Sequence, residues 1–180
     1  MTEICYVGPC FDYSGYGEAN RHFIAALHAA GVDVSVFPVS YVMESADFGK
    51  IGALCKELSD HENNYKIKIL HITPDQYPKY IEKDKYNIGH LFWETSKIPD
   101  DFVKTCNMMQ EIWTGSQTNA DAIKKSGVTV PVFIAPQPIE TERDEAAPYK
   151  LPDCDDDTLV FYSIFEWTER KNPVALLRAY

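Results

Sequence analysis

The stretch GPCFDYSGYGEANRHF, residues 8–23, follows a short apolar run and precedes an amphipathic one, with Gly15, Tyr16 and Gly17 at its centre. Glycines at a strand-to-helix corner serve one of two ends: a tight turn, or the close approach of backbone to a ligand. A helix that starts there offers unpaired N–H groups to an anion. Tyr13 and Tyr16 beside those glycines suit stacking against a sugar or hydroxyl contacts to it. Arg21, one turn into the helix, either reaches an anion or is an ordinary surface arginine. The dinucleotide fingerprint is not met, because Asn20 stands where its third glycine belongs and Pro38-Val39-Ser40 where an acid would end the second strand. No Gly-Lys-Ser/Thr follows the glycines, which excludes a P-loop. Turn and phosphate cradle both stay open.

Other chemistries find less support. The five cysteines, at 5, 10, 55, 106 and 154, form no CxxC pair and no His-spaced zinc motif, so no metal site is expected. Their odd number and scatter suit reduced, mostly buried thiols. With 27 acidic against 17 basic residues, a net charge of −10, general nucleic-acid binding is disfavoured. No run approaches the ~18–20 apolar residues of a membrane span. MTEICYV lacks the basic and apolar regions of a signal peptide, so the chain is expected to be cytoplasmic.

Behind these residues, apolar and amphipathic segments alternate. Strands are expected over 3–8, 33–39, 65–73, 86–94, 111–116 and 130–136. Helices are expected over 17–30, with Gly31 as the stop, over 48–59, from Pro99 onward with Asp100 and Asp101 in the first turn, and over 117–126. This is the pattern of an α/β fold with a Rossmann-like, doubly wound, mostly parallel sheet. Residues 137–157, proline-punctuated and acidic, read as a linker that contains the Asp155-Asp156-Asp157 cluster. Beyond it TLVFYSIF, 158–165, reads as a buried strand. Asn172 and Pro173 read as the N-cap and first residue of a final helix. The boundaries are then 1–150 for the first domain and 158–180 for the start of a second. Glu94 closes an apolar strand at the carboxyl edge of the sheet. There it either accepts a proton or hydrogen bond from a substrate hydroxyl, caps the following helix or pairs with a lysine. Trp93 and Trp113 read as core, His22 and His28 as structural, and His71 as the end of a strand.

Four pieces stand in an order that is similar to a known family: Trp93-Glu94-Thr95 with Ile98-Pro99, Ile112-Trp113 with Ser116, Gly127-Val128 before Pro131-Val132, and Arg170-Lys171-Asn172-Pro173. With the corner SGYGEANRHFIAALHAAGVDV they make the chain resemble the group-1 glycosyltransferases, family four, of GT-B architecture. The resemblance covers nearly the whole chain. It implies an amino-terminal, acceptor-side domain followed by the truncated beginning of a donor-binding Rossmann-like domain. It also implies transfer of a sugar, with retention, from a nucleotide-diphosphate sugar to a glycan, lipid or small acceptor. No metal or other cofactor is implied.

Residue by residue, the resemblance implies that Gly15, Tyr16 and Gly17 approach the donor phosphates, and that Arg170 and Lys171 stabilise the charge that builds on the leaving diphosphate. It implies that Glu94 serves the acceptor hydroxyl, with Tyr13, Thr95 and Ser116 lining the acceptor pocket. The sequence departs from the family in three places. The donor-site glutamate pair does not occur, Trp93-Glu94 stand near where many members carry a cleft histidine while His90 lies earlier, and the usual second-domain arginine is replaced by Glu166 or shifted to Arg170. Full activity is not expected from these 180 residues alone. The rival reading is a non-catalytic Rossmann-like module that binds a nucleotide or a partner protein, with Thr158 to Tyr180 open to exchange in a homodimer.

Overall fold

The computed structural model describes residues 2–40, 48–139, 151, 152, 154, 155 and 157–180. The chain divides into two compact units, Met1–Thr141 and Glu142–Tyr180. The first is an α/β unit around a six-stranded, all-parallel sheet. Its strands are β1 (Glu3–Gly8), β2 (Asp33–Pro38), β3 (Ile67–Leu70), β4 (Tyr86–His90), β5 (Glu111–Thr114) and β6 (Val132–Ile134). Its helices are α1 (Gly15–Ala29), α2 (Gly49–Ser59), α3 (Tyr77–Tyr80), α4 (Asp100–Cys106) and α5 (Gln117–Lys125). The sheet order is β2-β1-β3-β4-β5-β6. Order therefore reverses between β1 and β3, the point where open α/β sheets bind ligands beyond the strands' carboxyl ends.

Local signals account for most of these elements. The Ser14 hydroxyl accepts a hydrogen bond from the Gly17 amide at 3.1 Å and caps α1, Glu18 lies in its first turn, and Gly31 closes the helix at φ 78°. Ser116 caps α5 in the same way, accepting from the Asn119 amide at 3.2 Å. Continuously apolar β1 is buried from Ile4 to Gly8, as a central parallel strand must be. Side chains then alternate between two cores. Ile4, Tyr6, Ile69 and Ile88 meet α1 and α2, while Val7, Leu70, Leu91 and Ile112 meet the helices of the other face.

Two expectations need correction. The strand expected over 86–94 ends at His90, so Glu94 lies in the following loop rather than at a strand end. Between β3 and β4 a 3-10 turn, Pro74–Gln76, runs into α3, whose buried Tyr77 packs on Gly89. No strand forms over 158–165, where Leu159, Phe161, Tyr162 and Ile164 are exposed. A strand is stable only when neighbours take up its N–H and C=O groups, and among the described residues of the second unit no other strand exists to do so. The helix expected there is present as α6 (Pro173–Ala179), its N-cap Asn172 at φ 52° accepting from the Ala175 amide at 3.4 Å. The acidic linker falls largely outside the described residues.

Two histidines complete the core under α1. His71, just past β3, and His90, ending β4, stack with ring centroids 4.0 Å apart, and Phe23 of α1 meets both edge-on. Tyr6 Oη lies 2.6 Å from His71 Nδ1. Both imidazoles are fully buried, and His71 Nε2 and both His90 nitrogens have no hydrogen-bond partner. Burial, and for His71 also its neighbour His90, hold them neutral, with the His90 pKa pushed down to about 3. The unfolded chain takes up protons near pH 6.5 while the native state does not, so stability is present above that pH and lost as pH falls towards 3. Each histidine is expected to remove about 1 kcal/mol between pH 6.5 and 5.5. Urea unfolding at the two pH values checks this, and His90→Phe should show the smaller loss.

Candidate functional site at the carboxyl edge of the sheet

The corner after β1 is built largely against itself. A Cβ on Gly17 would stand 2.2 Å from Asp12 O and 2.9 Å from Pro9 O, so the missing side chain makes room for the protein's own turn. Arg21 is neither a surface residue nor an anion ligand. Its guanidinium is buried, donating to Cys10 O at 3.0 Å and Asp12 O at 2.8 Å, with the Phe48 ring 3.6 Å away. Burial lowers its pKa, and the two carbonyls are the partners that a buried cation requires. Asn20 donates to Tyr16 O at 2.7 Å and His71 O at 3.2 Å, which ties α1 to the end of β3. This settles the first question the sequence raised: Gly17 serves the turn.

Gly15 is different. A Cβ there would meet nothing within 4 Å, and as the first residue of α1 its amide has no intrahelical acceptor. A fifteen-residue helix thus begins at an exposed glycine beside exposed Tyr13, whose ring leans on Phe48 at 5.9 Å. Tyr16 is half-buried and leans on His71 at 5.5 Å, so it is less available than its neighbour.

Further along the same edge, past β4, a cleft of about 310 Å³ is lined by Trp93, Glu94, Thr95, Ser96, Thr118, Asn119, Asp121, Ala122 and Lys125. Glu94 does not cap α4, whose N-cap Pro99 has no side-chain partner. Thr95 lines the cleft while its hydroxyl accepts from the Trp93 indole at 2.7 Å and donates to Lys97 O at 3.0 Å. Ser116 is occupied as the cap of α5. Trp93 and Trp113 are half-buried and pack on the two cores, as their sequence reading expects. The loop is held by Asn119, which sequence reading missed: its Nδ2 donates to Trp93 O at 2.5 Å and its Oδ1 accepts from Trp93 N at 3.3 Å. Arg170 and Lys171 belong to the second unit, in an exposed 3-10 turn (Glu169–Lys171) ahead of α6.

A larger cavity, about 560 Å³, opens at the opposite, amino edge between His28, Asp33, Glu57 and His61. Volume favours that cavity and topology favours the carboxyl edge; topology decides, because loops that follow parallel strands are where this architecture holds ligands. Within the cavity His61 pairs with Asp33 at 2.7 Å, so its polar groups already serve each other.

The inward polar residues carried a signal. Gly17, Asn20, Arg21 and Ile24 share one helical stripe, and His71 and His90 share strand parity with Ile69 and Ile88. Polar residues in an apolar register are the mark of internal bonding.

Fold and site together define the chain's first unit as an open, doubly wound parallel α/β domain of Rossmann or flavodoxin type, with its candidate site beyond the strands' carboxyl ends. No family model and no curated protein matches the sequence. Among solved structures, a cysteine-to-alanine mutant of flavodoxin from Pseudomonas aeruginosa aligns over 78% of this chain and 87% of that one, at 12% identity and a TM-score of 0.26. Among the described residues, no helix is long and apolar enough to cross a membrane.

Two predictions follow from the geometry. Gly17→Ala should cost about 1–3 kcal/mol through overpacking, whereas Gly15→Ala should be neutral or stabilising by up to about 1 kcal/mol; denaturant midpoints of the two variants check the contrast. Asn119→Ala should cost about 1–3 kcal/mol by stranding the Trp93 peptide, read as lost stability together with faster hydrogen exchange at Trp93.

Proposed function

We propose that this chain is the amino-terminal, acceptor-side portion of a cytoplasmic glycosyltransferase that transfers a sugar, with retention, from a nucleotide-diphosphate sugar to a glycan, lipid or small acceptor. The observation that carries the reading is the placement, along one carboxyl edge, of the start of α1 at exposed Gly15 and Tyr13 and of a polar cleft containing Glu94 and Thr95. Transfer leaves negative charge on the departing diphosphate. A helix N-terminus favours that charge, and each well-placed donor contributes a few kcal/mol, about 3 in measured cases. In this reading Gly15 and Tyr16 present backbone to the phosphates. Glu94 accepts a hydrogen bond or proton from the acceptor hydroxyl. Neither metal nor other cofactor is invoked.

A second reading is favoured by one observation. Phe161, Tyr162, Ile164 and Trp167 of the second unit are all exposed, the feature of a segment that pairs with another protein or a second copy of this chain. Thermal melting with a panel of nucleotide sugars separates the two. A donor that raises the melting temperature of the native chain but not of Gly15→Val, a variant that folds because its site is open, supports the transferase reading. Indifference to every donor supports the interaction module.

A further inference from the structure

The cleft past β4 is a trough fastened at both ends. At one end Asn119, in the first turn of α5, holds both the N–H and the C=O of Trp93. At the other end Ser126, just past α5, accepts from the Ile98 amide at 3.0 Å. The loop from Trp93 to Ile98 therefore runs alongside α5 in the same direction. That sets Glu94 towards the helix start and Ser96 towards its last turn, where Lys125 stands. Small, buried Ala122 lines the trough between them. Hydrogen-bonding capacity here is unevenly used. The Thr95 hydroxyl, the Trp93 indole and the Asn119 amide serve the loop, and Asp121 accepts from Gln117 at 2.8 Å. Ser96, Thr118 and Lys125 also line the trough, and among the described residues their side chains have no hydrogen-bond or ion-pair partner. An ammonium only donates, and a hydroxyl can donate as well as accept. The trough therefore suits a ligand rich in acceptor oxygens, with negative charge near Lys125. Glu94 and Asp121 set a second condition: they repel further anionic groups and accept from ligand hydroxyls. Walls whose apolar members are Trp93 and Ala122 do not suit an acyl chain, which would cover polar groups without bonding them. A volume of about 310 Å³, at the low end for ligand clefts, fits a small molecule.

We propose that this trough binds a sugar bearing one anionic oxygen group, a phosphate or a carboxylate. Lys125 and Ser96 hold the anion, and the ring hydroxyls turn to Glu94 and Asp121. On the reading of this cleft as the acceptor pocket, on which this rests, the acceptor is an anionic sugar and not a lipid or a neutral one. Lys125 is then the residue that sets specificity, because the other charged side chains of the trough, Glu94 and Asp121, are both acidic.

The test follows amide shifts of the labelled full chain as glucose, glucose 6-phosphate, glucuronate and inorganic phosphate are added separately. At least one of the two anionic sugars should give saturable shifts centred on Ser96, Thr118 and Lys125. It should bind about tenfold more tightly than glucose, as one charge-assisted hydrogen bond allows. Which of the two responds identifies the anion. Lys125→Gln should remove the preference over glucose and Lys125→Arg should keep it, with the melting temperature unchanged in both, since Lys125 has no partner to lose. Equal binding of glucose, equal binding of inorganic phosphate, or undiminished binding in Lys125→Gln overturns the proposal. So does the absence of shifts in the trough with both anionic sugars. Thermal melting with nucleotide sugars keeps the two readings apart. A donor that still stabilises the chain leaves the transferase reading standing while the acceptor class falls; an anionic sugar bound in the trough, beside indifference to every donor, does the reverse.

Discussion

A buried guanidinium governs the corner on which this structure turns. Arg21 enters the core from α1 and takes the carbonyls of Cys10 and Asp12, so the turn after β1 cannot relax outward without stranding a cation in an apolar interior. Gly17 lets the turn come close enough for those bonds, and Asn20 fastens the same helix to the end of β3. The start of α1 is therefore fixed over the point where strand order reverses. Gly15, the first residue of α1, is exposed there.

The same economy explains how polar groups are distributed along the carboxyl edge. Residues that looked available, Ser116 and Arg21, are bonded within the protein. Gly15, Tyr13 and Glu94 are exposed along that edge, and the proposed function uses them. Beneath them the neutral His71–His90 pair fills the core without introducing charge, which makes the native state sensitive to acid and supplies no compensating ion pair.

Much of this fold was legible in the chain because its signals are local. Gly31 and Asn172 act within a turn of where they stand, and the alternation of apolar runs with amphipathic ones dictates parallel strands under helices. What escaped depends on partners distant in sequence. Whether Glu94 ends a strand rests on how far β5 extends beside β4, and whether 158–165 forms one rests on a neighbouring strand. The site was partly legible for the same reason. Glycine at 15 and 17 marks a corner, but only the position of Asp12 separates the glycine that packs from the one that stays open, and nothing near Asn119 announces that it holds Trp93.

The central claim is that ligands meet this domain at the outward end of α1 and not in the larger cavity at the opposite edge. Amide chemical shifts of the labelled chain, followed while uridine, guanosine and adenosine diphosphates are added in turn, test it most directly. Saturable shifts centred on Tyr13 and Gly15 are predicted for at least one of them. Shifts confined to Gly31–Val34 at the amino edge, or none with any of the three, would contradict the account.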